Sequence, residues 1–243
     1  MAAFLDKYVS KITESIWEYP EVIDYLSSRL ITESDIRTYR IGYSSLITPH
    51  DDGSEDFKNM KTKTGGWAAV KGRIVFPVTA CNGLVIGVIL RRFDVPGKPV
   101  NEEIPRYRQL VTSESTRVGA FFGVTQASQS ILDNGFAYVV EGPMDCVSLA
   151  KAFPNTVSTL TSAVNGQQMW TLSMMAEQIV VVFDSDGPGK KGAAAAEEDY
   201  GKERVKVREL GYKDANLCLT TLGEGGFRDY VKRRLMYKPF ARR

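Results

Sequence analysis

The sequence predicts an α/β fold: a mostly parallel sheet flanked by helices, preceded by a helical and β-hairpin N-terminal part. Three observations predict it. From residue 136 onward, short apolar β-branched runs alternate with helix-forming runs, the rhythm of parallel strands joined by crossover helices. Upstream, two apolar runs flank Asn82-Gly83, a strong hairpin turn signal. Before those, apolar residues recur at helical spacing.

Taken in order, Phe4, Tyr8, Ile12, Ile16 and Trp17 mark a first helix, and Pro20 breaks it. A second helix runs through Val22, Tyr25, Leu26 and Leu30. A third begins at Thr32, where Thr32-Glu33-Ser34-Asp35 has the pattern of a capping box. Residues 48–66 are polar and glycine-containing and read as a loop. Residues 73–79 and 84–93 read as hairpin strands, and residues 94–106 as another loop. The α/β rhythm then places strands at 136–140, 156–160, 179–183 and 204–208. Helices are expected at 143–153, 167–177 and 190–200. This divides the chain into residues 1–134, an α/β unit at 135–222 and a short basic helical tail at 223–243.

At 243 residues, with 43% hydrophobic and 25% charged residues, the chain has the composition of a soluble globular protein with a substantial core. No run approaches the ~20 apolar residues needed to cross a bilayer. The start lacks an apolar signal-peptide core, so a cytoplasmic setting without a membrane partner is expected. Cys81, Cys146 and Cys218 form no C-x-x-C pair, and no zinc is expected. The one histidine, His50, reads as a loop residue, which disfavours chemistry built on a histidine base. Trp67 and Trp170 are offered better by packing than by base stacking.

Two acidic clusters carry most of the chemical information. Glu141-Gly142-Pro143-Met144-Asp145 and Asp184-Ser185-Asp186-Gly187 each follow an apolar run directly. A carboxylate at a strand end beside glycine reads as a ligand for a hard cation. Two such ends in one parallel sheet would gather carboxylates around Mg²⁺, an assembly that serves phosphoryl transfer. Asp214 follows a further strand. The alternative readings are a helix N-terminal acid for Glu141 and an exposed turn for Asp184 and Asp186. Net charge is only +2, but residues 71–117 carry eight Lys/Arg against four Asp/Glu, and residues 228–243 carry seven against one. Basic surfaces beside an acidic metal site suit a polyanionic substrate. Arg73, Arg91, Arg92 and Arg106 form the candidate basic surface, and Lys190 and Lys191 sit in a glycine-rich turn able to meet phosphates.

At these residues the chain resembles the Toprim family, shared by DnaG-type primases, phage primase–helicases, topoisomerases and some nucleases. The resemblance rests on Glu141-Gly142 with Asp145, on Asp184-Ser185-Asp186, and on Gly187-Pro188-Gly189-Lys190-Lys191-Gly192-Ala193. Lys213-Asp214-Ala215-Asn216 is similar to a segment of phage primase–helicases, and DnaG-type enzymes carry Asp where this chain has Asn216. Upstream, Arg29-Leu30-Ile31-Thr32 resembles the "R-G-hydrophobic-T" stretch of primase polymerase domains. Gly72 to Val78, the hairpin ending at Arg91-Arg92, Arg106-Tyr107 and Phe121-Phe122-Gly123 are similar to later primase segments, which favours primase over other Toprim proteins.

The resemblance implies a Toprim primase RNA-polymerase module. Glu141, Asp184 and Asp186 would be catalytic, and Glu141, Asp145, Asp184, Asp186 and Asp214 would hold Mg²⁺ or Mn²⁺. Arg73, Arg91, Arg92, Arg106, Lys190 and Lys191 would bind nucleotide or DNA. Single-stranded DNA and NTPs would be its partners, with a separate helicase or zinc-binding accessory protein supplying what the chain does not show. The setting would be a bacterial cytoplasm or that of a phage-infected host. A Toprim nuclease and a catalytically weak replisome subunit are the alternatives.

Overall fold

The computed structural model describes residues 2–45, 72–94, 97, 105–111 and 119–237. His50, Trp67, the loop at 48–66, most of the loop at 94–106 and the last six residues of the tail lie outside the described residues.

The N-terminal part opens with helix α1 (Ala2–Glu14), which continues into a 3-10 turn at Ser15–Glu18. Helix α2 (Pro20–Ser28) begins with proline at a position whose N–H needs no partner, and α3 (Glu33–Thr38) follows. The capping box of α3 is present: Asp35 N–H donates to Thr32 Oγ1 at 3.2 Å and Thr32 N–H to Asp35 Oδ2 at 2.8 Å. Helix α2 stops two residues short of the expected Leu30. There Leu30 turns to φ 55°, and Ile31 N–H bonds back to Leu26 O, closing a Schellman motif with leucine in glycine's usual place.

An antiparallel sheet follows, ordered β1 (Gly42–Ser44), β2 (Arg73–Thr79), β3 (Val85–Arg92), β4 (Tyr107–Val111). The turn at Asn82-Gly83 joins β2 to β3, with Gly83 at φ 83°. Strands β1 and β4 were not marked by the sequence pattern. Nor was helix α4 (Val124–Asn134), which is flanked by left-handed Gly123 and Gly135.

The second sheet is wholly parallel and consists of β5 (Phe136–Val140), β6 (Thr156–Ser158), β7 (Gln178–Val181) and β8 (Val205–Val207), in the order β6-β5-β7-β8. Its crossover helices are α5 (Pro143–Ala150), α6 (Gly166–Ser173) and α7 (Gly187–Tyr200). Side chains alternate along each strand. Phe136, Tyr138 and Val140 enter one core with Val180 and Val182, while Ala137 and Val139 enter the other with Ile179 and Val181. From β5 the chain moves outward to β6, then returns past β5 to β7 and onward to β8. The β5/β7 boundary is therefore the topological switch point, where a crevice opens beyond the strand ends.

Two findings revise the expected division. Val124, Ala127 and Ile131 of α4 pack in the same core as Ala137 and Val139, so α4 belongs with the parallel sheet. Residues 223–235 of the expected helical tail are helical, and they are part of the core. They form the second half of α8 (Ala215–Leu235), broken at Gly223 (φ 67°, ψ 168°), and bury Phe227, Val231 and Leu235 completely. Tyr138 donates its hydroxyl to Leu235 O at 2.8 Å, fixing that half to the central strand.

The two sheets share one core. Ile74, Phe76 and Ile89 of the antiparallel sheet cluster with Tyr138, Val140 and Val180 of the parallel one. The strap at Phe121-Phe122 joins them by backbone: Thr79 pairs with Phe121 and Ser158 with Phe122. Phe122 stacks on Tyr39 and meets Phe76 edge-on.

Candidate active site

The carboxyl ends of β5 and β7 deliver Glu141 and Asp184 to the switch point. Apolar strands buried on both faces leave the segment just past each end as the place where a charge reaches solvent: Glu141 follows β5 directly, and Asp184 follows β7 after the buried Val182 and Phe183. Glu141 Oε1 accepts the Asp184 main-chain N–H at 3.0 Å, so the two strand ends are locked together. Gly189, in the first turn of α7, presses on both. A Cβ there would lie 2.5 Å from Glu141 Oε1 and 2.2 Å from Asp184 O, so only glycine fits.

Asp145 stands in the first turn of α5, and one of its oxygens accepts the Asn216 main-chain N–H at 3.0 Å. Asp214 caps α8, accepting Leu217 N–H at 2.6 Å. Glu141, Asp145, Asp184 and Asp214 line one cleft of about 380 Å³. Asp186 does not line it. It is exposed and caps α7, with Oδ1 accepting Gly189 N–H at 3.0 Å.

The opposite wall comes from the antiparallel sheet and the end of α2, as Arg29, Arg91, Arg106, Tyr107 and Arg108, with Lys213 beside Asp214. Arg91 is only 4% exposed, donates to the hydroxyls of Tyr25 and Tyr107, and lies against both rings. The Nε atoms of Arg29, Arg91 and Arg108 are buried without a hydrogen-bond partner among the described residues.

The basic set expected from sequence therefore divides. Arg91 and Arg106 reach the cleft. Arg73 is a correction: it is 3% exposed and its Nη1 donates to Pro105 O at 3.1 Å and Arg106 O at 3.4 Å, so it braces the sheet from inside rather than presenting charge. Arg92 pairs with Asp94 away from the cleft wall. Lys190 and Lys191 are exposed on the first turn of α7, Lys190 lining a neighbouring cavity with Asp184, Glu197 and Arg208. Trp170 is also corrected: at 60% exposure it is a surface residue of α6, outside the core and the cleft. Arg29, Arg108 and Lys213 were missed as site residues. Arg29 and Lys213 stood inside quoted motifs, and Arg108 lies two residues beyond Arg106 on a strand.

Crowding shows in the acidities. Burial first, then Glu141, Asp214 and Asp186, push Asp184 up to about 7, with Lys213 opposing. Glu141 is pushed up to about 6 by burial, against the N–H it accepts from Asp184. Asp145 is raised by burial and by Asp214. Converging oxygen donors that raise one another's proton affinity suit a hard divalent cation. Among the described residues no three acidic, histidine or cysteine side chains stand close enough to hold an ion by themselves. The expected five-carboxylate cage is therefore not formed. The arrangement fits a cation held by one or two carboxylates, with water and substrate phosphate completing the shell, as is usual for Mg²⁺.

A Toprim-like family description matches residues 138–219. That match spans most of the parallel sheet and the start of α8. Beyond it, the DNA primase of Aquifex aeolicus is 27% identical over 205 residues, covering 79% of this chain and 40% of that protein. The chain thus spans well under half the length of this curated relative. The RNA polymerase domain of Mycobacterium tuberculosis primase DnaG matches with a TM-score of 0.78 at 19% identity, over 98% of this chain and 83% of that one. The same domain in complex with a double-stranded DNA oligomer with a 6-nucleotide overhang also gives 0.78 at 19% identity, over 96% and 79%. The fold of this chain, both sheets included, is that of a DnaG-type catalytic core, as the resemblance implied. Among the described residues no helix is long and apolar enough to cross a membrane.

Proposed function

We propose that this chain is the RNA-polymerase module of a DNA primase, condensing ribonucleoside triphosphates on a single-stranded DNA template. One observation carries the reading: a cleft at the switch point gathers half-buried carboxylates with arginines of which three, Arg29, Arg91 and Arg108, have a buried Nε without a hydrogen-bond partner among the described residues. Such a cleft takes a ligand that is both polyanionic and metal-bound, which describes a nucleoside triphosphate beside a nucleic-acid backbone. The named relatives are DNA primases, and the M. tuberculosis domain in complex with an overhanging DNA supports single-stranded template as the partner.

One or two of Glu141, Asp145, Asp184 and Asp214 would hold Mg²⁺ or Mn²⁺, with water and substrate phosphate completing its shell, and the ion would neutralise the triphosphate and activate the attacking hydroxyl. Glu141, with its raised proton affinity, would take a proton from that hydroxyl. Asp186 adds negative potential while capping α7. Arg29, Arg91, Arg106, Arg108 and Lys213 would bind phosphates, Arg91 oriented in advance by its two tyrosines. A helicase and a zinc-binding accessory protein are the partners such a module would work with.

The test is synthesis from labelled NTPs on mixed-sequence single-stranded DNA with Mg²⁺ or Mn²⁺, comparing wild type with Asp184→Ala and Glu141→Gln. Wild type should make short oligoribonucleotides. Each variant should lose at least about 100-fold in rate with DNA affinity within about twofold. Near-normal synthesis by either variant sinks the site assignment, and shortening of the DNA in the same tubes would identify a nuclease instead.

A further inference from the structure

Asn216 is 1% exposed, the second residue of α8, and stands in the wall of the cleft. Its main-chain N–H holds one Asp145 oxygen at 3.0 Å. Its side-chain Nδ2 donates twice: to Arg29 O at 2.9 Å, and to Ser148 Oγ at 2.8 Å. Both partners can only accept there. A main-chain carbonyl has no proton, and the Ser148 hydroxyl proton is committed to Met144 O at 2.8 Å. Two acceptors converging on one buried atom call for an amide nitrogen. A carboxylate oxygen in its place would face a carbonyl it cannot bond, with a buried charge added.

We propose that Asn216 is a positioning residue: its amide clamps the end of α2 and helix α5 to the start of α8, and so fixes Asp145 in the cleft. The clamp is made by Nδ2, while Oδ1 is buried without a hydrogen-bond partner among the described residues, so Mn²⁺ affinity has to be read beside stability. The clamp joins residues from both walls, because Arg29 closes α2 and its guanidinium lines the cleft opposite the carboxylates. The carbonyl bound by Asn216 belongs to the residue just before Leu30, whose left-handed turn sets where that carbonyl points. The Asp145 side is equally tight: a Cβ at residue 142 would lie 2.7 Å from Asp145 Oδ2, so glycine lets the carboxylate sit against the backbone. The kinetic part of the inference rests on the primase reading. The clamp itself does not.

The experiment compares wild type, N216D, N216A, S148A and the N216A/S148A double variant. It reads thermal melting in EDTA, Mn²⁺ affinity by electron paramagnetic resonance, and kcat and KM for the first dinucleotide. For N216D the clamp predicts melting at least about 4 °C lower, with Mn²⁺ bound no more tightly. N216A should lose about tenfold or more in kcat with KM for NTP within about twofold, and S148A should lose less than N216A. The double variant should lose little beyond N216A alone, because the two residues share one bond. Mn²⁺ binding tightened about tenfold in N216D, with melting unchanged, would make the position a ligand site and overturn the clamp. So would an S148A protein with wild-type melting and kcat, a result that decides the matter even if N216D does not fold. If wild type makes no product even with a zinc-binding primase module supplied, the primase reading fails, while the melting and Mn²⁺ measurements still decide the clamp.

Discussion

Asp184 and Glu141 bind protons more tightly in the folded protein than in the unfolded chain, at about 7 and about 6 respectively. Raised carboxyl values stabilise the fold on the acid side. The contribution is complete below the ordinary carboxyl range and is lost as pH rises through about 6 to 7. Metal-free Asp184→Asn should therefore melt higher than wild type by a margin that grows from pH 5 to pH 8. Saturating Mn²⁺ should reverse that order at pH 8, because the ion binds the deprotonated site. A margin independent of pH would show that Asp184 is not crowded by its neighbours. At this scale the sequence picked out the four acids that share the cleft, Glu141, Asp145, Asp184 and Asp214, because apolar strands leave little choice about where charge emerges, but it did not separate them from Asp186, which caps α7 outside it. The arginines were not. Whether a strand residue faces the cleft or the interior depends on register, and pairing puts Arg73 opposite Arg92 and Arg91 opposite Tyr107.

Among the elements, α7 and α8 matter most to the site. The first turn of α7 packs its backbone against the carboxylates, and Gly189 makes that approach possible. Gly189→Ala should lower stability by about 2 kcal/mol or more and disable synthesis, whereas Gly187→Ala, with open space around its Cβ, should be nearly silent. Equal effects of the two substitutions in denaturant titrations and synthesis assays would refute the close approach. Helix α8 serves twice. Its first half brings Asn216 to the cleft, and after the break at Gly223 its second half seals the shared core. Phe227→Ala should cost about 3–5 kcal/mol, as for any fully buried phenylalanine, far more than a tail residue would. Residues 223–243 read as a short basic helical tail, without a buried face, because Phe227, Val231 and Leu235 are sparse among the cations. Their i, i+4 spacing was the overlooked signal. Strand β4 and helix α4 escaped for a related reason: each is identified by what it packs against, which local pattern does not record.

At the scale of the molecule, the two sheets cannot be taken apart without exposing Phe76, Phe122 and Tyr138 together. Calorimetry of the intact chain should show one cooperative transition. Two resolved transitions would mean that the shared core contributes little. Residues 135–237 alone should bind hydrophobic dye and melt without cooperativity.

The clamp at Asn216 has a consequence for the order of events in folding. It closes a loop between residues 187 positions apart, whereas the pairing of β5 with β6 and β7 draws on residues far nearer in the chain. Loop-closure entropy delays such distant contacts, and during synthesis α8 follows everything it joins. Pulse-labelling of a refolding chain should find the amide of Asn216 protected after those of Val139 and Val181. Until α8 has emerged from the ribosome and docked, a nascent chain has its carboxylates and its arginines but no fixed cleft between them. The molecule thus becomes competent in one late step, when this distant contact forms.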